Sequence, residues 1–137
     1  MPKGSSNSVI VKSADRDLIE QAVSSYLREL FTKHSEVIKV IWFGSWVTGI
    51  PRPGSDVDLC LVLDRAKDDP PVPPRQRIPR YLPEGFPVGI DLFPYTEAEL
   101  AEIERDRPGW FRCLTTGREV TRKDWQPKRK RNRKLPG

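Results

Sequence analysis

Leu18, Ile19, Ala22, Val23, Tyr26, Leu27, Leu30 and Phe31 recur at spacings of three and four, the period of a single helical face. The spacing predicts a helix of about five turns, opened by Ser13 as N-cap, with Asp15 and Asp17 at its positive end and Lys33 and His34 at its negative end. Residues 1–12 ahead of it are small and polar and read as a flexible lead, with a short extended piece at Val9–Val11. Val37 to Phe43 is rich in β-branched and aromatic residues and reads as a buried strand that stops at Gly44-Ser45. After a loop marked by Gly49, Pro51, Pro53 and Gly54, Asp56 to Leu63 reads as a second strand. Asp56, Asp58, Cys60 and Val62 fall on one face of it and Val57, Leu59, Leu61 and Leu63 on the other.

Seven of the fourteen prolines lie between Pro70 and Pro87, which excludes a long helix there but suits a short one over Pro74 to Leu82. A third strand is predicted over Pro87 to Phe93, carrying Asp91. Thr96-Glu97-Ala98-Glu99 has the form of a capping box, and helical pattern continues through Leu100, Ile103 and Trp110 to Leu114, interrupted at Pro108-Gly109. The pattern predicts an α/β fold: a small mixed sheet with helices mainly on one side. One domain spans 13–126 with a Pro-rich insertion at 64–87, followed by a basic, disordered tail at 127–137.

Charge alters this picture only at one end. The 137 residues carry 24 Lys plus Arg against 19 Asp plus Glu. Six of the cations (Lys128, Arg129, Lys130, Arg131, Arg133 and Lys134) fall in the last eleven residues, so the preceding 126 hold 18 basic and 19 acidic groups. The body is near neutral, and the tail is the part that would attract phosphates in a salt-dependent way. No apolar run approaches the roughly 20 residues that span a bilayer, and no apolar leader opens the chain. Cys60 and Cys113 form neither a disulfide framework nor a metal-binding pair spacing. A cytoplasmic setting without membrane association is the expectation. His34, the single histidine, reads as a helix-end cation, so acid–base or metal chemistry rests on carboxylates.

The chemistry-bearing feature is the order strand, Gly44-Ser45, loop, Asp56-Val57-Asp58, strand, and then a strand with Asp91. Carboxylates two apart on a strand reach one shared cation site, and a third on a neighbouring strand completes a cluster whose like charges raise one another's pKa. Oxygen-only ligands suit Mg²⁺ or Mn²⁺. The glycine lets the backbone approach a ligand, and the amides and hydroxyl of the turn cradle phosphate oxygens. A phosphate cradle about ten residues ahead of Asp-x-Asp is the arrangement that phosphoryl transfer with two ions needs.

The string from Gly44 to Val62, with Gly49, Arg52 and Ser55 in place, resembles the signature of the polymerase-beta-like nucleotidyltransferases, especially their stand-alone minimal group. The likeness extends through Val88-Gly89-Ile90-Asp91-Leu92 and more weakly to Trp110–Val120, similar to the group's closing helix with Gly117. It covers roughly residues 15–120. The resemblance implies transfer of a nucleoside monophosphate from an NTP, ATP in the first place, to an acceptor hydroxyl, with pyrophosphate released. By position, Asp56 and Asp58 would hold two Mg²⁺ ions, Asp91 would bind the catalytic ion and help deprotonate the hydroxyl, and Gly44, Ser45 and Ser55 would hold the triphosphate. Trp46 and Thr48 depart from the pattern, since many relatives carry arginine there.

The resemblance also implies partners. Minimal nucleotidyltransferases are often antitoxins that AMPylate a HEPN-type toxin, and without a second domain to shape an acceptor pocket a protein partner or a homo-oligomer is expected. Residues 128–134 are the candidate nucleic-acid contact. The competing reading is a catalytically degenerate binding module of the same fold, acting through a protein partner or through nucleic acid at its tail. Trp46 is a candidate stacking surface for the base, Trp42 reads as core, and Trp110 as core or a lid contact. Arg75, Arg77 and Arg80 are candidates for an acceptor path or a solvated helix face. Cys60 reads as a small buried residue behind the site.

Overall fold

The computed structural model describes residues 3–49, 51, 55–64 and 72–125, with residues 3–15 as backbone. Arg52 and the basic tail lie outside the described residues. Helix α1 runs Lys3–Lys33, followed by β1 (Val37–Phe43), the one-turn α2 (Ser45–Thr48), β2 (Val57–Leu63), α3 (Pro74–Tyr81), β3 (Ile90–Thr96), α4 (Glu97–Asp106), α5 (Pro108–Thr115), β4 (Arg118–Thr121) and α6 (Arg122–Trp125). The helical backbone of α1 starts ten residues before Ser13 and includes Val9–Val11, which the sequence reading made extended. No proline stands between Lys3 and Lys33, and the one glycine, Gly4, sits at the start, so nothing local stops the helix from growing backwards.

The strands form one mixed sheet in the order β3-β2-β1-β4. β1 pairs antiparallel with β2 and with β4, and β2 pairs parallel with β3. The alternation in β2 is as the pattern predicts, and both faces are covered. Val57, Leu59, Leu61 and Leu63 join Val40 and Trp42 in burying the stripe of α1 from Ile19 to Phe31, and α3 adds Tyr81. On the opposite face Ile41, Phe43, Cys60 and Val62 pack against Leu100 of α4 and Leu114 of α5. Most helical residues thus lie on the α1 side, and α4 and α5 close the second face over a central strand that is apolar on both sides.

Two boundaries differ from expectation. β3 is displaced to Ile90–Thr96, because its parallel ladder begins at Val57↔Ile90 and carries on to Leu63↔Thr96, while Pro87–Gly89 only lead in. The helical pattern read to Leu114 holds to Thr115, but the longer closing helix that the resemblance implied over Trp110–Val120 does not form, because the chain turns there into β4. Gly117 permits this: a Cβ there would run into the backbone of Trp42, with its carbonyl carbon only 2.9 Å away. β4 has little apolar pattern of its own and is a strand because the edge of β1 pairs with it.

Charged side chains fasten the layers. The buried Arg77 guanidinium donates to the Pro94 carbonyl (2.9 Å) and to both carboxylate oxygens of Glu99 (2.7 and 3.0 Å). Glu99 is also the partner of Thr96 in the predicted capping box, which forms. Arg122 donates to the carbonyls of Phe31, His34 and Val37, the groups left open where α1 ends and β1 begins.

Candidate active site

Gly44 ends β1 with φ of +92°, a conformation that glycine adopts without the cost a side chain would meet. Space demands glycine as well. A Cβ at Gly44 would collide with the carboxylate of Asp58, whose Cγ would be 3.2 Å away. The chain then makes the single turn of α2, in which the Val47 amide donates to the Gly44 carbonyl and the Gly49 amide to the Ser45 carbonyl. Ser45 is half-buried beside this turn.

Trp46 is core, with 4% of its surface exposed, which removes it as a stacking surface for a base. Its indole N–H donates to the Ser55 carbonyl at 2.8 Å, tying the Gly-Ser turn to the residue that leads into the Asp-x-Asp strand. The Arg16 guanidinium lies 5.6 Å from the centroid of the Trp46 ring and donates to the Trp46 carbonyl at 3.4 Å.

Asp58 and Asp91 are register partners on neighbouring parallel strands, with their carboxyls close enough to act on each other. Phe43 is the partner of Asp58 on the other side, so Phe43, Asp58 and Asp91 form one row across the sheet end. Burial pushes the Asp58 carboxyl up to about 6, helped by the neighbouring Asp91 carboxyl and the charge of Asp56. Asp56 precedes the first residue of β2, is exposed, and lies against Gly89, where a Cβ would stand 2.9 Å from its Cγ. Behind the row, Phe93 and Trp110 meet edge-to-face at 5.4 Å, with Phe43 5.7 Å from Phe93. Trp110 is thus half-buried against this face.

The predicted residues are therefore gathered at one end of the sheet, but unequally. Asp58 and Asp91 are neighbours in register and Asp56 is set to one side; among the described residues no three His, Cys, Asp or Glu side chains stand ready as a metal-ligand set. No ion pair found among the described residues includes Asp56, Asp58 or Asp91. A half-buried carboxylate beside an exposed one, with no counter-cation among the described residues, fits a divalent ion of the Mg²⁺ type, which takes one or two carboxylates and completes its shell with water and phosphate oxygens.

Other candidates resolve differently. Arg77 is buried in the fold, Arg80 is exposed with its guanidinium over the Tyr81 ring, and Arg75 is exposed beside β3. Cys60 is fully buried and burial pushes its thiol up to about 12, which makes it inert. His34 sits just after α1, 3.5 Å from Glu36 and edge-on to Tyr81, in keeping with a helix-end role. The Trp46 strut and the demand of Asp56 for a glycine at position 89 were missed from sequence. The Gly-x-Asp spacing of Gly89 and Asp91 is the only trace of the second.

A mixed four-stranded sheet with a Gly-Ser turn facing strand-borne carboxylates is the architecture of a nucleotidyltransferase domain. The model of that family, the nucleotidyltransferase domain, matches residues 23–109, well over half of the chain, and the protein belongs to it. Among solved structures the fold is similar to a nucleotidyltransferase candidate from Sulfolobus solfataricus, with 17% identity, a TM-score of 0.53, and coverage of 80% of this chain and 84% of that one. No curated protein matches the chain. No helix among the described residues is long and apolar enough to cross a membrane.

Proposed function

We propose that the protein is a metal-dependent nucleotidyltransferase that moves a nucleoside monophosphate, AMP from ATP in the first place, to an acceptor hydroxyl. The observation that carries this reading is the Asp58–Asp91 pair closed against Gly44, with no neutralising side chain among the described residues. Asp56, Asp58 and Asp91 would hold Mg²⁺ or Mn²⁺, two ions in the full complex, which neutralise charge developing on the phosphates. Gly44, Ser45 and Ser55 hold the triphosphate at the turn, and the Trp46 strut keeps the two sides of that cradle at fixed spacing.

In the transfer, the acceptor oxygen bonds to the α-phosphorus while the bond from that phosphorus to the bridging oxygen breaks. Pyrophosphate leaves with the electron pair, and the hydroxyl proton passes to Asp91. The exposure of Asp91 suits a group that must meet a second substrate. We place the acceptor hydroxyl on a partner protein, a HEPN-type toxin in an antitoxin-like pairing, with a homo-oligomer as the other assembly. Residues 128–134 are the proposed nucleic-acid contact.

The second reading, a degenerate binding module, draws on the lack of a ready three-ligand set and on Trp46 and Thr48 in place of arginine. Labelled-NTP transfer with Mg²⁺, together with calorimetric binding of Mg·ATP, separates the two. The enzyme reading expects binding and label transfer that Asp58→Asn abolishes; tight partner binding without either sinks it.

A further inference from the structure

Among the described residues, the outer edge of β3 is sealed along one half and open along the other. The Val57 amide donates to the Gly89 carbonyl, so with the strand period of two the backbone groups of Asp91, Phe93 and Tyr95 turn towards β2, and those of Ile90, Leu92, Pro94 and Thr96 turn outward. Pro94 has no N–H, and its carbonyl accepts from Arg77. The Thr96 N–H donates to Glu99 at 2.9 Å. Ile90 and Leu92 are not covered in this way: among the described residues their outward groups have no partner beyond the sheet. Proteins blunt free edges as a rule. Here the blunting stops short of Leu92, and a groove of about 600 Å³ runs on from Leu92 along Phe93, Pro94 and Tyr95, facing Arg75 and Ile78 of α3.

On the nucleotidyl-transfer reading, on which this inference rests, in-line displacement puts the leaving pyrophosphate and the attacking oxygen on opposite sides of the α-phosphorus. Ser45 follows β1, Asp58 is on β2 and Asp91 on β3. The row therefore runs from the phosphate turn outward, and the attacking oxygen approaches from beyond Asp91, where the open edge lies. We propose that this open edge is the acceptor dock, and that its occupant is an extended polypeptide segment that adds as a strand at Ile90–Leu92 and presents a Ser, Thr or Tyr hydroxyl to Asp91. A backbone edge is matched by a chain with its own alternating N–H and C=O groups. A nucleic acid is disfavoured, because Arg75 is the only cation among the described residues that line the groove, and a polyanion binds through several cations together. The hydroxyl oxygen bonds to the α-phosphorus, its proton goes to Asp91, and pyrophosphate departs with the electrons of the broken bond.

The test uses octapeptides with one hydroxyl residue in an apolar, Glu-containing sequence, presented to the full chain with Mg²⁺ and α-labelled ATP. An oligoribonucleotide with a free 3′-hydroxyl serves as the rival acceptor. Label should enter the peptides, and N-methylation along the edge that pairs should slow it about tenfold while methylation along the opposite edge should not. Ile90→Pro, which repeats at that position what Pro94 already is, should abolish peptide labelling, with its melting curve reporting that it folds. Equal labelling of both methylated series, or label passing to the oligonucleotide or to water but to no peptide, overturns the dock. A chain that fails to bind Mg·ATP overturns the transfer reading instead. The dock is then decided by the amide resonances of Ile90 and Leu92: a shift on adding peptide sustains it and an unchanged spectrum ends it.

Discussion

The indole N–H of Trp46 and the carbonyl of Ser55 meet at 2.8 Å, and this one bond joins the turn after β1 to the approach to β2. Trp46→Phe keeps the ring and loses the bond. It should lower stability by about 1 kcal/mol and weaken Mg·ATP binding more than it lowers the melting temperature. Calorimetric titration beside thermal melts measures the two. Equal binding by the parent and the variant would show that the strut does not set the cradle.

Gly44→Ala meets both a positive φ and the Asp58 carboxylate. A loss of about 2 kcal/mol is expected. Adding Asp58→Ala removes the collision, so in denaturant melts the double variant should be more stable than the sum of the two single changes allows. Strict additivity would mean that the two residues do not press on each other.

The Asp58 carboxyl lies at about 6 against an ordinary 3.8. Between those values the folded protein holds a proton that the unfolded chain has released. Stability is therefore greatest below the window, falls as pH rises through it, and levels off above about 6. Solvent screening at this half-exposed site keeps the fall smaller than the full shift would give. Asp58→Asn should flatten that stretch of a stability–pH curve, and Mg²⁺ should raise the melting temperature above the window more than below it. A parent curve that rises through the window would contradict the account.

Arg77 and Glu99 should respond unequally to mutation. Glu99→Gln strips a guanidinium with 2% side-chain exposure of its carboxylate and should cost about 3 kcal/mol. Arg77→Met leaves an apolar chain in an apolar place and a glutamate that water reaches, so it should cost clearly less. Chemical denaturation of the two variants gives the ordering, and an inverted order would refute it.

Much of this was legible in the chain. The stripe from Ile19 to Phe31, the alternation in β2 and the Thr96–Glu99 box are local patterns, and each formed where periodicity and capping put it; Leu18, counted in the stripe from sequence, is instead half-exposed, just ahead of the packed part of α1. The Gly-Ser turn and the Asp row were legible because a glycine closes the strand pattern of β1 and the aspartates interrupt two otherwise apolar strands. What escaped depends on neighbours distant in sequence. β4 exists by grace of the edge of β1 and a close approach at Gly117. Trp46 looks like a free aromatic until α1 closes over it. The ladder of β3 starts where β2 lets it, three residues later than composition suggested.

Arg122 joins carbonyls that lie 85 to 91 residues before it in the chain, and this long reach bears on how the molecule comes apart. β4 and α6 are short and at the margin, the kind of segment that usually frays first. Here their departure would strip the end of α1 and the start of β1 of three hydrogen bonds at once. Opening at this end is thereby coupled to loosening of the longest helix, so hydrogen exchange should find the amides of β4 and the last turn of α1 released together, as one cooperative unit.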